Sequence, residues 1–166
     1  MFGPVYFLSG DGYPTNNHVD RELQRRLSPS FARWTGQKDI HDPTPMTFQL
    51  NDFPSRSAHL ESYLTSQGAD RNIVLMGRSS GARLATWHAS RHPVAAVICL
   101  GYPFRNPSTG PEPERYRHLA DLTVPTLILQ GVRDEYGGSN VFSDYALSPS
   151  VRVARLVLKF CQDVLR

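Results

Sequence analysis

The sequence predicts a single α/β domain with a mostly parallel sheet and helices on both faces. Short, continuous apolar runs alternate with segments of helical periodicity, and most of these runs end in a glycine-containing turn. Strands that are apolar throughout are typical of parallel sheets covered on both sides. The length of 166 residues suits one domain, and no internal repeat or linker divides residues 1–166.

The first third of the chain predicts two strands and one helix. Residues 5–8 form an apolar run that stops at the glycine turn 9–12, which indicates a buried strand. Apolar spacing predicts a helix over 18–27. Residues 28–45 show no clear period and are predicted as a long irregular connection. Residues 46–50 alternate and predict a short strand.

The middle of the chain predicts a strand between two helices. A helix is expected over 59–67, preceded by a possible cap at Ser55 and stopped by Gly68. Residues 72–76 are an apolar run that predicts a buried strand. A glycine turn follows at 77–81, and then a helix is expected over 82–91, ended by a proline.

The last part predicts three more strands. Residues 94–100 and 124–130 are apolar runs separated by a Pro-rich loop over 101–114. Residues 151–156 alternate like a last strand, and 157–166 carry apolar residues at helical spacing. A single helix from position 150 onward is the alternative for this end of the chain.

Composition and charge argue against several function classes. The formal net charge is +3, but Lys and Arg are dispersed, so no nucleic-acid patch is predicted. No apolar run is long enough for a membrane span, and no signal peptide is recognised. Cys99 and Cys161 lie in apolar runs, which predicts buried free thiols and a cytoplasmic protein. We expect no cofactor and no metal, because His88 and His92 lack a third ligand.

The pattern Gly77-Arg78-Ser79-Ser80-Gly81 has the form G-x-S-x-G, between a predicted strand and a predicted helix. This context is that of a nucleophile elbow, in which a sharp turn lifts the serine hydroxyl clear of the sheet. Ser79 is therefore the candidate nucleophile. The backbone N–H of Ser80 is the first candidate donor to a developing oxyanion. The alternative is a plain glycine-rich turn.

A second oxyanion donor is expected from the loop after an earlier strand. Asp11, in the turn 9–12, is the candidate through its backbone N–H, with a simple glycine turn as the alternative. Its carboxylate carries a cost, because a negative charge at this place opposes the oxyanion.

Asp134 follows the predicted strand 124–130 and is the candidate acid that would orient a histidine. In this fold the order is serine, acid, histidine. All six histidines precede Asp134, and no turn residue separates the predicted strand 151–156 from the helix 157–166. A histidine-bearing segment missing at this junction is therefore one hypothesis. A base role for His18 is another, and an intact but non-catalytic fold is the third.

These motifs resemble the α/β-hydrolase superfamily, and more closely its small dienelactone-hydrolase-like branch, with bacterial hydrolase-like proteins and the testis-expressed and NSL-complex relatives. The resemblance runs from about residue 72 to 138, with a weaker match at 8–18. It implies a small fold without a large cap, Ser79 as nucleophile and Asp134 as acid. The family's first loop usually begins His-Gly, whereas this chain has Ser9-Gly10.

The resemblance implies hydrolysis of a small acyl substrate, such as an ester or thioester. The alternative function is a pseudoenzyme or a binding module on the same scaffold. Tyr102 and Phe104 either line a substrate rim or simply pack in the core. Arg78 is a further candidate for the substrate rim. Arg78 and Arg83 either favour an anionic substrate or form ion pairs at the end of the sheet.

Overall fold

The computed structural model describes residues 1–41 and 53–156. Six parallel strands form one sheet in the order β2-β1-β3-β4-β7-β8, and β5 pairs antiparallel with β6 in a small hairpin. The strands are β1 (Val5–Leu8), β2 (Trp34–Thr35), β3 (Val74–Arg78), β4 (Ala96–Leu100), β5 (Arg105–Asn106), β6 (Gly110–Pro111), β7 (Thr126–Gly131) and β8 (Val151–Leu156). The predicted fold class is confirmed.

The helices lie between the strands, as the predicted alternation requires. They are α1 (Asn17–Leu27), α2 (Gln37–Ile40), α3 (Phe53–Ser66), α4 (Ser80–Ala89) and α5 (Val141–Asp144). Helix α3 begins six residues before its predicted start, because Pro54 is tolerated in a first helical turn. It ends near Gly68, whose positive φ of 59° suits glycine.

Two core layers enclose the sheet. On one face, buried side chains from β1, β3, β4 and β7 pack with Leu60 and Leu64 of α3 and with Leu84 of α4. On the other face, the buried side chains of β1 and β3 contact Leu23 and Leu27 of α1. Cys99 lies in the first layer as a fully buried free thiol, and burial raises its pKa. Cys161 lies outside the described residues.

The connection predicted as irregular over 28–45 was wrong in part. It contains a 3-10 turn over Ser28–Ser30, the two-residue strand β2 and the short helix α2. An edge strand of two residues has no periodicity that a sequence pattern could detect. The predicted strand 46–50 lies entirely within the interval 42–52, outside the described residues.

At the other end, β8 pairs with β7 over its whole length, so the strand prediction is confirmed and the single-helix alternative is wrong. The predicted helix 157–166 lies outside the described residues. Within the described ranges, no helix has both the length and the apolar character needed to cross a membrane.

The parallel register brings the carboxyl ends of the central strands to one edge. Leu8 pairs with Gly77, Arg78 with Leu100, and Leu100 with Leu129. The segments that follow these strands therefore meet at this edge. Open α/β sheets bind their ligands at the same edge.

Candidate active site

The turn after β3 is a strained elbow. Ser79 has φ 54° and ψ −122°, and it has the only positive φ of a non-glycine residue in the described part of the chain. Such a conformation costs on the order of 1–3 kcal/mol and persists only where the surroundings enforce it. The Ser79 N–H donates to the Leu100 carbonyl at 3.1 Å, which fixes the turn to the neighbouring strand end.

The glycines of the motif are required by close backbone contacts. A Cβ on Gly77 would lie 2.3 Å from the Gly81 carbonyl oxygen, and a Cβ on Gly81 would lie 2.1 Å from the Leu8 carbonyl oxygen. Helix α4 therefore begins directly against the ends of β1 and β3. This contact places Ser79 at the N-terminal end of α4, where the helix dipole favours negative charge.

The loop after β1 lies beside the serine. A Cβ on Gly10 would be 3.1 Å from the Ser79 Cβ, so the absence of a side chain lets the loop approach. The hydroxyl of Ser80 donates to the Asp11 carboxylate at 2.5 Å. Among the described residues, no backbone hydrogen bond uses the Asp11 N–H. Ser79, Ser80 and Asp11 are thus brought together.

Sequence reasoning missed Arg56, a residue of α3 that joins this group. Its guanidinium donates to the Ser80 hydroxyl at 2.8 Å and to the Ser9 carbonyl at 2.8 Å, and it lies 3.3 Å from the Asp11 carboxylate. No local signal could have identified it, because Asp11 is 45 positions away in the chain. Burial lowers the pKa of Arg56 to about 10, while the Asp11 carboxylate opposes that shift.

Asp134 lies on the segment after β7, two strands from Ser79 in the sheet. Neighbouring strands are about 4.8 Å apart, so the two backbones are separated by roughly 10 Å. The Asp134 carboxylate accepts from the Gln130 amide at 2.7 Å and from the Tyr136 N–H at 2.9 Å. A Cβ on the intervening Gly101 would be 3.6 Å from the carboxylate, an ordinary contact distance, so Asp134 lies directly beside the end of β4.

Gln130 orients Asp134 through a buried hydrogen bond. It is fully buried, and its carbonyl oxygen accepts from the Tyr102 N–H at 2.7 Å while its amide donates to Asp134. One side chain therefore links the ends of β4 and β7.

We expect Gln130→Leu to destabilise the fold and to misorient Asp134. The Tyr102 N–H would lose its buried acceptor, which costs about 1–3 kcal/mol. Urea denaturation measures the loss. The exposed Gln67→Leu is the control and should change the free energy of unfolding by less than about 0.5 kcal/mol. Equal stability of both variants would contradict the assigned role of Gln130.

Arg78 connects the elbow to helix α1 and to the turn before it. Its guanidinium donates to the Asn16 side-chain oxygen at 2.9 Å and forms an ion pair with Asp20 at 3.2 Å. The Ser9 hydroxyl donates to the same Asp20 carboxylate. Arg78 is thus engaged with α1 and its preceding turn. The expectation that it lines a substrate rim has no geometric support, and of the two interpretations the ion pair describes its contacts.

Tyr102 and Phe104 are completely buried, with ring centroids 4.7 Å apart. They contribute packing rather than exposed rim surface, which is the second of the two alternatives for them. The Tyr102 hydroxyl donates to the Arg115 carbonyl, and the Phe104 ring stacks on Tyr145 at 4.7 Å, so later segments of the chain enclose both rings. Arg83 stacks on the Phe53 ring at 4.3 Å.

The histidines of the described segments differ in their distance from this edge. His41 and His59 stack on each other and line a small cavity with Leu8 and Arg56, whereas His18, His88 and His118 lie away from Ser79. Asn16 and Asp20 both contact Arg78 of the elbow. His18 lies two positions from each of them, on a different face of the helix, and is exposed. His88 is nine residues along α4, roughly 13 Å from Ser79 by helical rise. His118 contacts the Thr86 hydroxyl at 2.9 Å, again well along α4.

Acidification should destabilise the protein through two of these histidines. Burial lowers the pKa of His88 and of His118 from 6.5 to about 4, with smaller effects from neighbouring cationic side chains. The unfolded chain therefore binds protons first, and stability falls as pH drops below 6.5. The urea midpoint should be lower at pH 5 than at pH 7.5. The double variant H88Q/H118Q should reduce this dependence of the urea midpoint on pH. An unchanged pH dependence would show that His88 and His118 do not cause the acid destabilisation.

A cavity of about 520 Å³ opens beside Asp134. Its lining is mainly polar and charged, from the β5–β6 hairpin, the segment after β7 and helix α5. Among the lining residues are Arg105, Pro107, Arg133, Asp134, Asn140 and Asp144. In the described part of the chain, no group of three metal-ligating side chains is found.

Comparison with known proteins gives a consistent picture of the fold. The profile of a family described as "Alpha/beta hydrolase domain" matches residues 37–157. Among solved structures, one from a study of two metagenome-derived lipolytic enzymes has a TM-score of 0.65 and 13% identity, covering 99% of this chain and 91% of that one. A search of the curated proteins gave no match.

Two further structures have the same fold. A putative hydrolase of the α/β superfamily from Xanthomonas campestris has a TM-score of 0.61 and 16% identity, covering 99% of this chain and 92% of that one. The esterase domain of a Rhodothermus marinus protein has a TM-score of 0.62 and 15% identity, covering 93% of this chain and 74% of that one. At these identities the likeness concerns the fold.

Proposed function

Because this chain belongs to the α/β-hydrolase domain family, we propose that it is a serine hydrolase cleaving ester or thioester bonds of small acyl substrates. The observation that carries the proposal is the strained Ser79, held at positive φ at the start of α4 with Gly10 against it. Strain of this kind is concentrated at functional sites. A nucleophile elbow is the function that it suits best.

In the proposed reaction, the Ser79 hydroxyl attacks the acyl carbon and passes its proton to a base. The backbone N–H groups of Ser80 and Asp11 donate to the oxyanion that forms. Collapse of this intermediate releases the alcohol or thiol, which takes up the proton, and leaves an acyl group on Ser79. Water then releases the acid by the reverse sequence. Asp134 orients and stabilises the protonated base.

The base is the incomplete part of this constellation. No histidine follows Asp134 in the sequence. We propose that the working protein carries a histidine-bearing segment at the junction of residues 156 and 157, directly after β8. The intact mass of the protein isolated from its source tests this. A mass above 18.6 kDa by the size of a loop supports it, and a mass of 18.6 kDa contradicts it.

The cavity beside Asp134 does not have Ser79 among its described lining residues, and we propose it as the space for the part of a small, polar substrate that lies beyond the acyl group. Its volume of about 520 Å³ suits a small molecule, and its charged lining disfavours a long alkyl chain. The dienelactone-hydrolase-like resemblance of the motifs is consistent with this substrate class. We extend the proposal to membership of that branch.

The second candidate function is a non-catalytic module that binds a ligand in the same cleft. The observation that favours it is the lack of any histidine after Asp134. Without a base, a serine hydroxyl is a weak nucleophile. An elbow used only for binding would keep its backbone geometry but would not catalyse hydrolysis.

Chemical rescue separates the two functions. Residues 1–166 are assayed with p-nitrophenyl acetate and a short-chain acyl thioester, with and without added imidazole. Imidazole should act as the missing base and raise the rate above its own background reaction, and Ser79→Ala should abolish this increase. Identical imidazole dependence in both proteins would contradict the hydrolase proposal and favour the binding module.

A further inference from the structure

Arg56 is a buried charge with no place in the proposed reaction steps. It lies on the first turns of α3 and is 5% exposed. Burying a guanidinium is costly unless its hydrogen bonds and charge are matched. The lowered pKa of Arg56 reflects that cost. Specific contacts must therefore offset the cost of burying Arg56.

The contacts of Arg56 converge on the two candidate oxyanion donors. One terminal nitrogen donates to the Ser80 hydroxyl at 2.8 Å and lies 3.3 Å from the Asp11 carboxylate. The other terminal nitrogen donates to the Ser9 carbonyl at 2.8 Å. The Ser80 hydroxyl in turn donates a 2.5 Å hydrogen bond to the Asp11 carboxylate. The loop after β1 and the elbow after β3 are thus joined through one guanidinium.

The charge of Asp11 gives a second reason for the position of Arg56. The Asp11 side chain is a carboxylate next to the place where the oxyanion would form, and like charges at short range oppose each other. Arg56 is the cation that faces this carboxylate. With the pair in place, the backbone N–H groups act near a neutral ion pair instead of an isolated negative charge.

We propose that Arg56 is a positioning residue of the oxyanion site, which rests on the function proposed above. It holds the 9–11 loop against Ser80 and neutralises the Asp11 carboxylate. Arg56 acts through these two residues and does not touch the substrate. The site thereby tolerates an acidic side chain in its oxyanion loop.

The readout is the second-order rate at which a fluorophosphonate labels Ser79, since this reaction builds negative charge in the same site. Arg56→Met should slow labelling by roughly 10–100-fold, given the cost of misplaced or opposed donors. Arg56→Lys keeps the charge and should recover part of that loss. Arg33→Met is the matched control, because Arg33 donates to the Tyr6 hydroxyl and lies just before β2 at the amino end of the sheet.

The double variant D11N/R56M decides between neutralisation and simple tethering. If the unpaired carboxylate causes the loss, the double variant labels faster than Arg56→Met alone. If Arg56 only ties the loop in place, the double variant is no faster, and the neutralisation is overturned. Should Arg56→Met fail to fold by circular dichroism, Arg56→Gln replaces it in both comparisons.

The wild-type rate separates this inference from the proposed function. A wild-type protein that is not labelled at Ser79 overturns both. Labelling of wild type and Arg56→Met at the same rate overturns the role of Arg56 alone and leaves the serine hydrolase proposal intact.

Discussion

Ser79→Ala should remove the burst of product that residues 1–166 give with p-nitrophenyl acetate. In wild type, acylation of Ser79 is expected to release up to about one equivalent of p-nitrophenol per chain, followed by a slow phase. Acylation can proceed without a base because p-nitrophenolate is a good leaving group. The slow phase follows from the lack of a histidine after Asp134, because hydrolysis of the unactivated acyl-serine needs a base to activate water. Without the Ser79 hydroxyl no acyl group can be stored, so the burst falls to zero.

Ser90→Ala is the matched control for this experiment. Ser90 follows α4 at its far end, and its hydroxyl donates to the Trp87 carbonyl. Stopped-flow absorbance should show the full burst for Ser90→Ala and none for Ser79→Ala. A burst of equal size in Ser79→Ala would place the reactive hydroxyl elsewhere and contradict the elbow assignment.

Gly81→Ala should strongly destabilise the fold. The added Cβ would lie 2.1 Å from the Leu8 carbonyl oxygen and 2.6 Å from the Ser9 carbonyl oxygen. Both neighbours are backbone atoms at the end of a central strand, so neither can move aside as a flexible side chain would. We expect a loss of about 3 kcal/mol or more in the free energy of unfolding.

Gly36→Ala is the control for this second prediction. A Cβ there would meet its nearest atom at 3.9 Å, and the backbone φ is −91°. Urea titration should show a change of less than about 1 kcal/mol for Gly36→Ala and a large loss for Gly81→Ala. Similar stabilities would show that α4 does not begin in contact with the end of β1.

The elbow was predictable because its signal is local. A buried strand, two glycines around a serine and a helix follow one another within 74–89, and backbone sterics determine the geometry. Strand β8 was predictable for the same reason, since alternation over 151–156 is a property of consecutive residues. The sheet edge as the location of the site followed from the parallel topology.

What the sequence did not reveal depends on contacts between distant residues. Arg56 reaches Asp11 across 45 positions, and no periodicity reports such a pair. Tyr102 and Phe104 are buried through contacts with Arg115 and Tyr145, and their local sequence left a rim and a core position equally open. Arg78 turns to Asp20, 58 positions away. Packing and charge pairing in three dimensions decided each of these outcomes.

The assignment of Ser79 as the nucleophile is tested most directly by locating the residue that a fluorophosphonate modifies. The folded working protein, which on the proposal carries the histidine-bearing segment, is labelled, its intact mass is measured and the adduct is mapped by peptide sequencing. We predict one adduct, on Ser79, that is absent from Ser79→Ala and from protein unfolded in urea before labelling. Folded protein without an adduct, or with an adduct on another serine while Ser79 stays unmodified, would contradict the assignment of Ser79 as the nucleophile.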